Sequence, residues 1–310
     1  MKYSIFHTMN TIVDELPKSR STLIALCKER GLKGYTGKSK EELLALLNSN
    51  VVYTNKSPLR YPGGKTRAIQ ILDRYIQDFK CKRILSPFFG GGSFELYLYD
   101  KGYQVMANDL FKPLYIFWKT VQSVPDLELV VEAVRKKMPI SKEQFHALRD
   151  SIGKLSEPVD IAAAYYIINR TSFSGSTFCG GFSKEAATGR LNESSLKTLS
   201  SLKINGIQFS NLNYSEFLDM YPDSDDLVIY ADPPYYISSY IYGKDGDLHE
   251  SFNHVAFAKK IKSRKNWILS YNDCQFIRDL YKDCDIFTES WSYGMNSSKG
   301  SSEIIIKRII

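Results

Sequence analysis

Only five cysteines occur in 310 residues, and Cys27, Cys81, Cys179, Cys274 and Cys284 stand at no short paired spacing. That scatter excludes the ligand spacing of a zinc site and any disulfide framework, and reads as reduced thiols with no metal centre. Long apolar runs are also missing. The opening Met1-Lys2-Tyr3-Ser4-Ile5-Phe6-His7 lacks a signal-peptide core, and no later run approaches membrane-spanning length, so the expectation is a soluble, cytoplasmic, non-secreted protein with no membrane partner. A complete GxGxxG pattern is absent, and no cysteine follows a proline, which removes the nucleophile that methylation of a cytosine ring carbon requires. What is present is 43% hydrophobic residues, 24% charged residues and a formal net charge of +7. That is apolar material for one large α/β domain with a smaller attachment, in a field that favours polyanions.

Two helical patterns open the chain. In the first, Leu23, Leu26 and Cys27 recur at helical spacing behind Ser19 or Ser21 as a cap. In the second, Ser39 can cap, Glu42 lies three residues on, and Leu43, Leu44, Leu46 and Leu47 form the apolar face. Residues 1–50 with this pattern resemble a SAP motif, a small helix-loop-helix that often binds DNA. A helical hairpin used only for packing is the alternative. Residues 48–56 read as a linker.

Beyond residue 57 strands alternate with helices. Arg83–Phe88, Gln104–Ala107, Leu227–Ala231 and Trp267–Ser270 are short apolar runs, and residues 94–99 look helical. Strands apolar on both faces imply a mainly parallel sheet covered on both sides, a Rossmann-like arrangement. Residues 118–222 break the rhythm with helical patterns near 144–149 and 159–168 and a long polar loop from Asn169 to Asn192, and they read as an inserted, mainly helical target-recognition domain. The catalytic domain is then expected over 51–117 and 223–310.

Ligands sit where the strands of such a sheet end. After the first strand stands Pro87-Phe88-Phe89-Gly90-Gly91-Gly92, whose missing side chains let backbone approach a bound molecule. Asp109 ends the next strand, where a carboxylate can accept ribose hydroxyls. Together they read as an adenosine site, for which a nicotinamide enzyme competes until the later motif is considered. Upstream, Tyr61-Pro62-Gly63-Gly64-Lys65 offers a lysine for the carboxylate of a methionine moiety and an aromatic ring for a sulfonium.

Asp232-Pro233-Pro234-Tyr235 follows another strand. An adenine amine is a poor nucleophile, because its lone pair is delocalised into the ring. Asp232 and the Pro233 carbonyl, both accepting hydrogen bonds from that amine, would localise the lone pair and aim it, while Tyr235 offers a face to a base rotated out of the duplex. These residues, in this order, resemble the Dam-like, adenine-specific DNA methyltransferases, as do Ser270-Tyr271-Asn272-Asp273 and the segment from Ser292 to Ile306. The resemblance implies S-adenosylmethionine as cofactor, N6 of a flipped adenine in double-stranded DNA as acceptor, and cofactor contacts from Tyr61, Lys65, Asp109 and Asp232. It places DNA recognition in the insertion, with Asn169, Arg170, Ser172, Lys184 and Arg190 as DNA-binding candidates, and makes a cognate restriction endonuclease the candidate protein partner. A cytosine amine, RNA, or a catalytically inactive DNA-binding relative are the alternatives.

Overall fold

The computed structural model describes residues 19–29, 35–43, 55–236, 252–291 and 301–309. The chain divides into two units, residues 1–54 with 100–102, and residues 55–99 with 103–310.

In the first unit the helix Arg20–Glu29 starts where expected, with Ser19 Oγ accepting from Thr22 N at 3.3 Å and Leu23 and Cys27 buried. Ser39 and Glu42 form the reciprocal cap, Ser39 N donating to Glu42 Oε2 at 2.7 Å and Glu42 N to Ser39 Oγ at 3.1 Å. Arg20 Nε donates to Lys38 O at 2.8 Å, tying the first helix to the start of the second. The Leu26 side chain and residues 44–47, part of the expected apolar faces, lie outside the described residues.

The second unit is built on a seven-stranded sheet of order β3-β2-β1-β4-β5-β7-β6. The strands are β1 Arg83–Ser86, β2 Gln104–Asn108, β3 Gln208–Ser210, β4 Leu227–Ala231, β5 Trp267–Asn272, β6 Asp285–Trp291 and β7 Ser301–Arg308. β1 to β5 pair in parallel, and β7 lies antiparallel between β5 and β6. This is the expected Rossmann-like α/β sheet. Its central strands are apolar on both faces because helices cover both, and every residue of β4 is buried.

One face packs Leu85, Ile229, Leu269, Ile304 and Ile306 against Phe217, Phe257 and Ile261. The helix Pro158–Thr171, buried from Ile161 through Asn169, is the hub of the expected insertion and packs against Lys112–Val121 and Val124–Lys137. A helix apolar all round belongs inside a domain. The polar stretch from Asn169 to Asn192 is not a structureless loop, since it holds the helix Lys184–Gly189 and a bridge between Ser172 and Phe182. β3, within residues 118–222, joins the main sheet. Among the described residues no helix is long and apolar enough to cross a membrane.

Strand order reverses between β1 and β4, so the carboxyl ends of these two neighbours open the crevice where a ligand fits. The loop after β1 is Pro87–Gly92 and the loop after β4 is Asp232–Tyr235.

Candidate active site

A cavity of about 320 Å³ occupies that crevice. Tyr61, Pro62, Gly64, Lys65, Pro87, Phe88, Phe89, Gly90, Gly92, Asp109, Asp232 and Pro234 all line it, so segments far apart in sequence converge on one pocket. Gly63, Pro233 and Tyr235 are not on its wall. Gly63 has φ +73° and its carbonyl accepts from Lys65 Nζ at 2.9 Å, Pro233 is buried, and Tyr235 stands half-buried beside it.

The glycine loop fits tightly. Gly90 and Gly92 have φ +51° and +65°, and a Cβ on Gly92 would lie 2.5 Å from Phe89 Cε1, closer than real atoms approach. The Tyr61 ring covers the loop, so that a Cβ on Gly90 would meet Tyr61 Cε1 at 3.0 Å. Asp109 is tied to the same loop, Gly90 N donating to its Oδ2 and Phe111 N to its Oδ1, each at 2.9 Å. Burial raises its carboxyl to about 6 against the pull of these two donors. Asn108 fixes the neighbouring turns, Nδ2 donating to Pro87 O and Leu212 O while Oδ1 accepts from Leu212 N.

Asp232 is held from two sides. Lys65 Nζ donates to Oδ2 at 2.6 Å and Ser270 Oγ to Oδ1 at 2.8 Å. Lys65 is 4% exposed, and its ammonium is committed to Asp232 and to Gly63 O. These two acceptors fix the ammonium at the cavity wall, where a contact to a cofactor carboxylate was expected. Two more carboxylates lie beneath. Glu95 accepts from Ser86 Oγ at 2.7 Å and is pushed to about 8 by burial, with Asp232 nearby adding to the rise. Glu303 accepts from Tyr235 OH through Oε2 at 2.6 Å, and burial raises it to about 7. No donor among the described residues reaches its buried Oε1, an omission of the kind that costs about 1–3 kcal/mol.

The expected DNA-reading residues separate into two groups. Asn169 and Ser172 are fully buried. Asn169 Oδ1 accepts from Arg60 N at 2.8 Å, and its Nδ2 donates to Arg60 O at 2.6 Å and Thr177 Oγ1 at 3.0 Å. Ser172 Oγ accepts from Thr177 N at 3.0 Å. Thr177, a β-branched residue at φ +51°, lines the cavity, so both side chains hold a strained wall in place. Arg170 is half-buried and spends its guanidinium on Pro58 O and Arg190 O. Lys184 and Arg190 are exposed.

Phe111, Tyr165 and Phe178 escaped the sequence reading yet line the pocket, with the rings of Phe111 and Phe178 edge-on at 5.4 Å. Glu95 also escaped it, although a lone acid between Phe94 and Leu96 was a visible signal, whereas Ser270 and Asn272 belong to the strand-end segment already noted for its resemblance.

Residues 61–295 match the family described as D12 class N6 adenine-specific DNA methyltransferase. The chain belongs to this family. It is also 24% identical over 202 residues to the Type II methyltransferase M.MjaIII of Methanocaldococcus jannaschii, covering 57% of this chain and 68% of that protein. The matched segment begins at the Tyr61 motif and runs through all of β1 to β6.

Proposed function

We propose that the chain moves a methyl group from S-adenosylmethionine to the N6 amine of an adenine turned out of duplex DNA. The observation that carries this reading is that Asp232 shares one cavity with Gly90, Gly92 and Asp109. S-adenosylmethionine, when bound, supplies an electrophilic methyl on a sulfonium. The chain's residues position and polarise the rest.

The open backbone of Gly90 and Gly92 and the Asp109 carboxylate suit an adenosine, since each Asp109 oxygen accepts one backbone N–H and keeps a further acceptor site for a ribose hydroxyl. Phe111 and Phe178 flank that region with apolar surface. Asp232 and the Pro233 carbonyl accept hydrogen bonds from the adenine amine. Lys65 and Ser270 keep the carboxylate from turning, so its orientation is set before the base arrives, and such preorganisation is the largest contribution to many enzymatic rates. Lys184 and Arg190 meet the DNA backbone from the 118–222 insertion, and the SAP-like segment in residues 1–50 adds salt-sensitive affinity. A restriction-modification setting with a cognate endonuclease fits the Type II relative.

The test is methyl transfer from labelled S-adenosylmethionine to duplex DNA, with RNA and adenine-free DNA as parallel arms. The expected outcome is labelled N6-methyladenine in duplex DNA only, falling by about 100-fold or more in Asp232→Ala. Label in RNA or on cytosine sinks the acceptor assignment, and an unaffected Asp232→Ala sinks the mechanism.

A further inference from the structure

Glu303 is a buried acid with a single hydrogen-bond partner among the described residues, and that partner is the hydroxyl of Tyr235, the last residue of the catalytic tetrapeptide. Its place in the sheet makes the contact informative. On β7, Glu303 stands directly opposite Asn272 of β5. Asn272 grips the next residue of the loop, its Oδ1 accepting from Tyr236 N at 2.9 Å and its Nδ2 donating to Tyr236 O at 2.8 Å. One cross-strand pair thus fastens two successive residues, Glu303 by the side chain of Tyr235 and Asn272 by the backbone of Tyr236. The Tyr235 ring also carries the Lys65 ammonium 5.0 Å from its centroid, so its tilt is coupled to the cation that holds Asp232.

A buried carboxyl with one oxygen unpaired, flanked on the sheet by Asn272 and Glu289, is a poor choice for stability, because a well-packed apolar residue there would leave no oxygen unpaired. Its presence is accounted for by what it holds. We infer that Glu303 is a positioning residue for methyl transfer, fixing the Tyr235 ring in the orientation that receives the extruded adenine.

This inference rests on the reading of Asp232 to Tyr235 as the catalytic loop. Its experiment begins by mapping the methylated site in DNA from cells expressing the full chain, then uses a duplex carrying that site, with 2-aminopurine replacing the target adenine in a second copy. Glu303→Ala, Glu303→Gln, Tyr235→Phe and the Glu303→Ala/Tyr235→Phe double variant are compared by single-turnover rate, by DNA affinity and by 2-aminopurine fluorescence. Removing the carboxyl is expected to slow transfer by about 10- to 100-fold, as small misplacements of reacting groups do, with DNA affinity within about threefold of wild type. The 2-aminopurine signal should change, since the base meets a ring that is no longer fixed. Glu303→Gln, whose carbonyl oxygen still accepts from the hydroxyl, should recover most of the rate. The double variant should be no worse than about twofold below the slower single one, the non-additivity of two ends of one contact.

A Glu303→Ala rate within about twofold of wild type overturns the inference, as do additive losses in the double variant or a Glu303→Gln as slow as the alanine. If Glu303→Ala does not fold, Tyr235→Phe and Glu303→Gln decide, because a fast Tyr235→Phe leaves Glu303 nothing to position. A wild-type chain that methylates no adenine removes the underlying functional reading as well. An active wild type with indifferent Glu303 variants removes this inference alone.

Discussion

Replacing Glu95 by glutamine should make the protein more stable in alkali and leave it almost unchanged in mild acid. Glu95 is 3% exposed at the start of the helix Ser93–Asp100, and burial raises its carboxyl from an ordinary 4.5 to about 8. A carboxyl so raised holds its proton in the folded state after the unfolded chain has lost it. Between about pH 4.5 and pH 8 the folded state binds more protons, so stability falls as pH rises across that window and levels off above it. At about 1.4 kcal/mol per pH unit the full shift sets a ceiling near 5 kcal/mol. Water entering the adjoining cavity lowers this, and about 2 kcal/mol is expected at pH 8.5. Glutamine has nearly the same shape and keeps an oxygen for the Ser86 hydroxyl, so the substitution removes the titration without opening a void. Asp109 and Glu303, raised to about 6 and about 7, tilt the wild-type curve the same way and are present in both proteins, so the difference between the two isolates Glu95. Urea unfolding at pH 5.0, 7.0 and 8.5 reads it, provided the slopes agree. A gap that stays constant with pH would refute the reasoning, as would no gap at pH 8.5.

Further expectations follow from the loops. Gly92→Ala, forced to φ +65° with a Cβ 2.5 Å from the Phe89 ring, should lose about 1–3 kcal/mol of stability and bind S-adenosylmethionine more weakly by calorimetry. An unaltered Kd there argues against the loop as cofactor cradle. Asn169→Ala leaves both backbone groups of Arg60 without partners and should cost about 2–4 kcal/mol while the methylated DNA sequence stays the same. A changed sequence would return Asn169 to base reading. Removing residues 1–50 should weaken DNA binding at low salt and spare turnover at saturating DNA, and equal affinity with and without them ends the SAP-like reading.

The parts legible in the sequence are those where a single strand or loop carries its own reason. β1, β2, β4 and β5 were readable because strands buried on both faces are apolar throughout, and each was recovered within two residues at its ends. β3 was not, since Gln208–Ser210 is a three-residue edge strand that buries none of them fully. The convergence of Gly90, Asp109 and Asp232 on one crevice was readable because all three follow the carboxyl ends of parallel strands. Pairings over long separations leave no local mark. Lys65 and Asp232 stand 167 positions apart, and only the fold reveals that the lysine serves the carboxylate. Asn169, following Ile167 and Ile168, looks like the polar start of a loop, whereas its real partner is the backbone of Arg60, 109 positions earlier. The stretch from Asn169 to Asn192 is polar because its side chains satisfy backbone groups that are not paired in strands or helices, a role that composition does not distinguish from solvent exposure.

The placement of β7 has a consequence for how the protein is made. β5 and β6 are translated first but cannot pair with each other, because the strand that belongs between them follows both in the chain. Until that strand leaves the ribosome, β5 presents an open apolar edge and Tyr235 has no acid to hold its hydroxyl. On the proposed function, the nascent polypeptide should therefore stay inactive and in need of protection from aggregation until synthesis has passed Arg308, and assembly of the sheet's last three strands coincides with completion of the Asp232–Tyr235 loop.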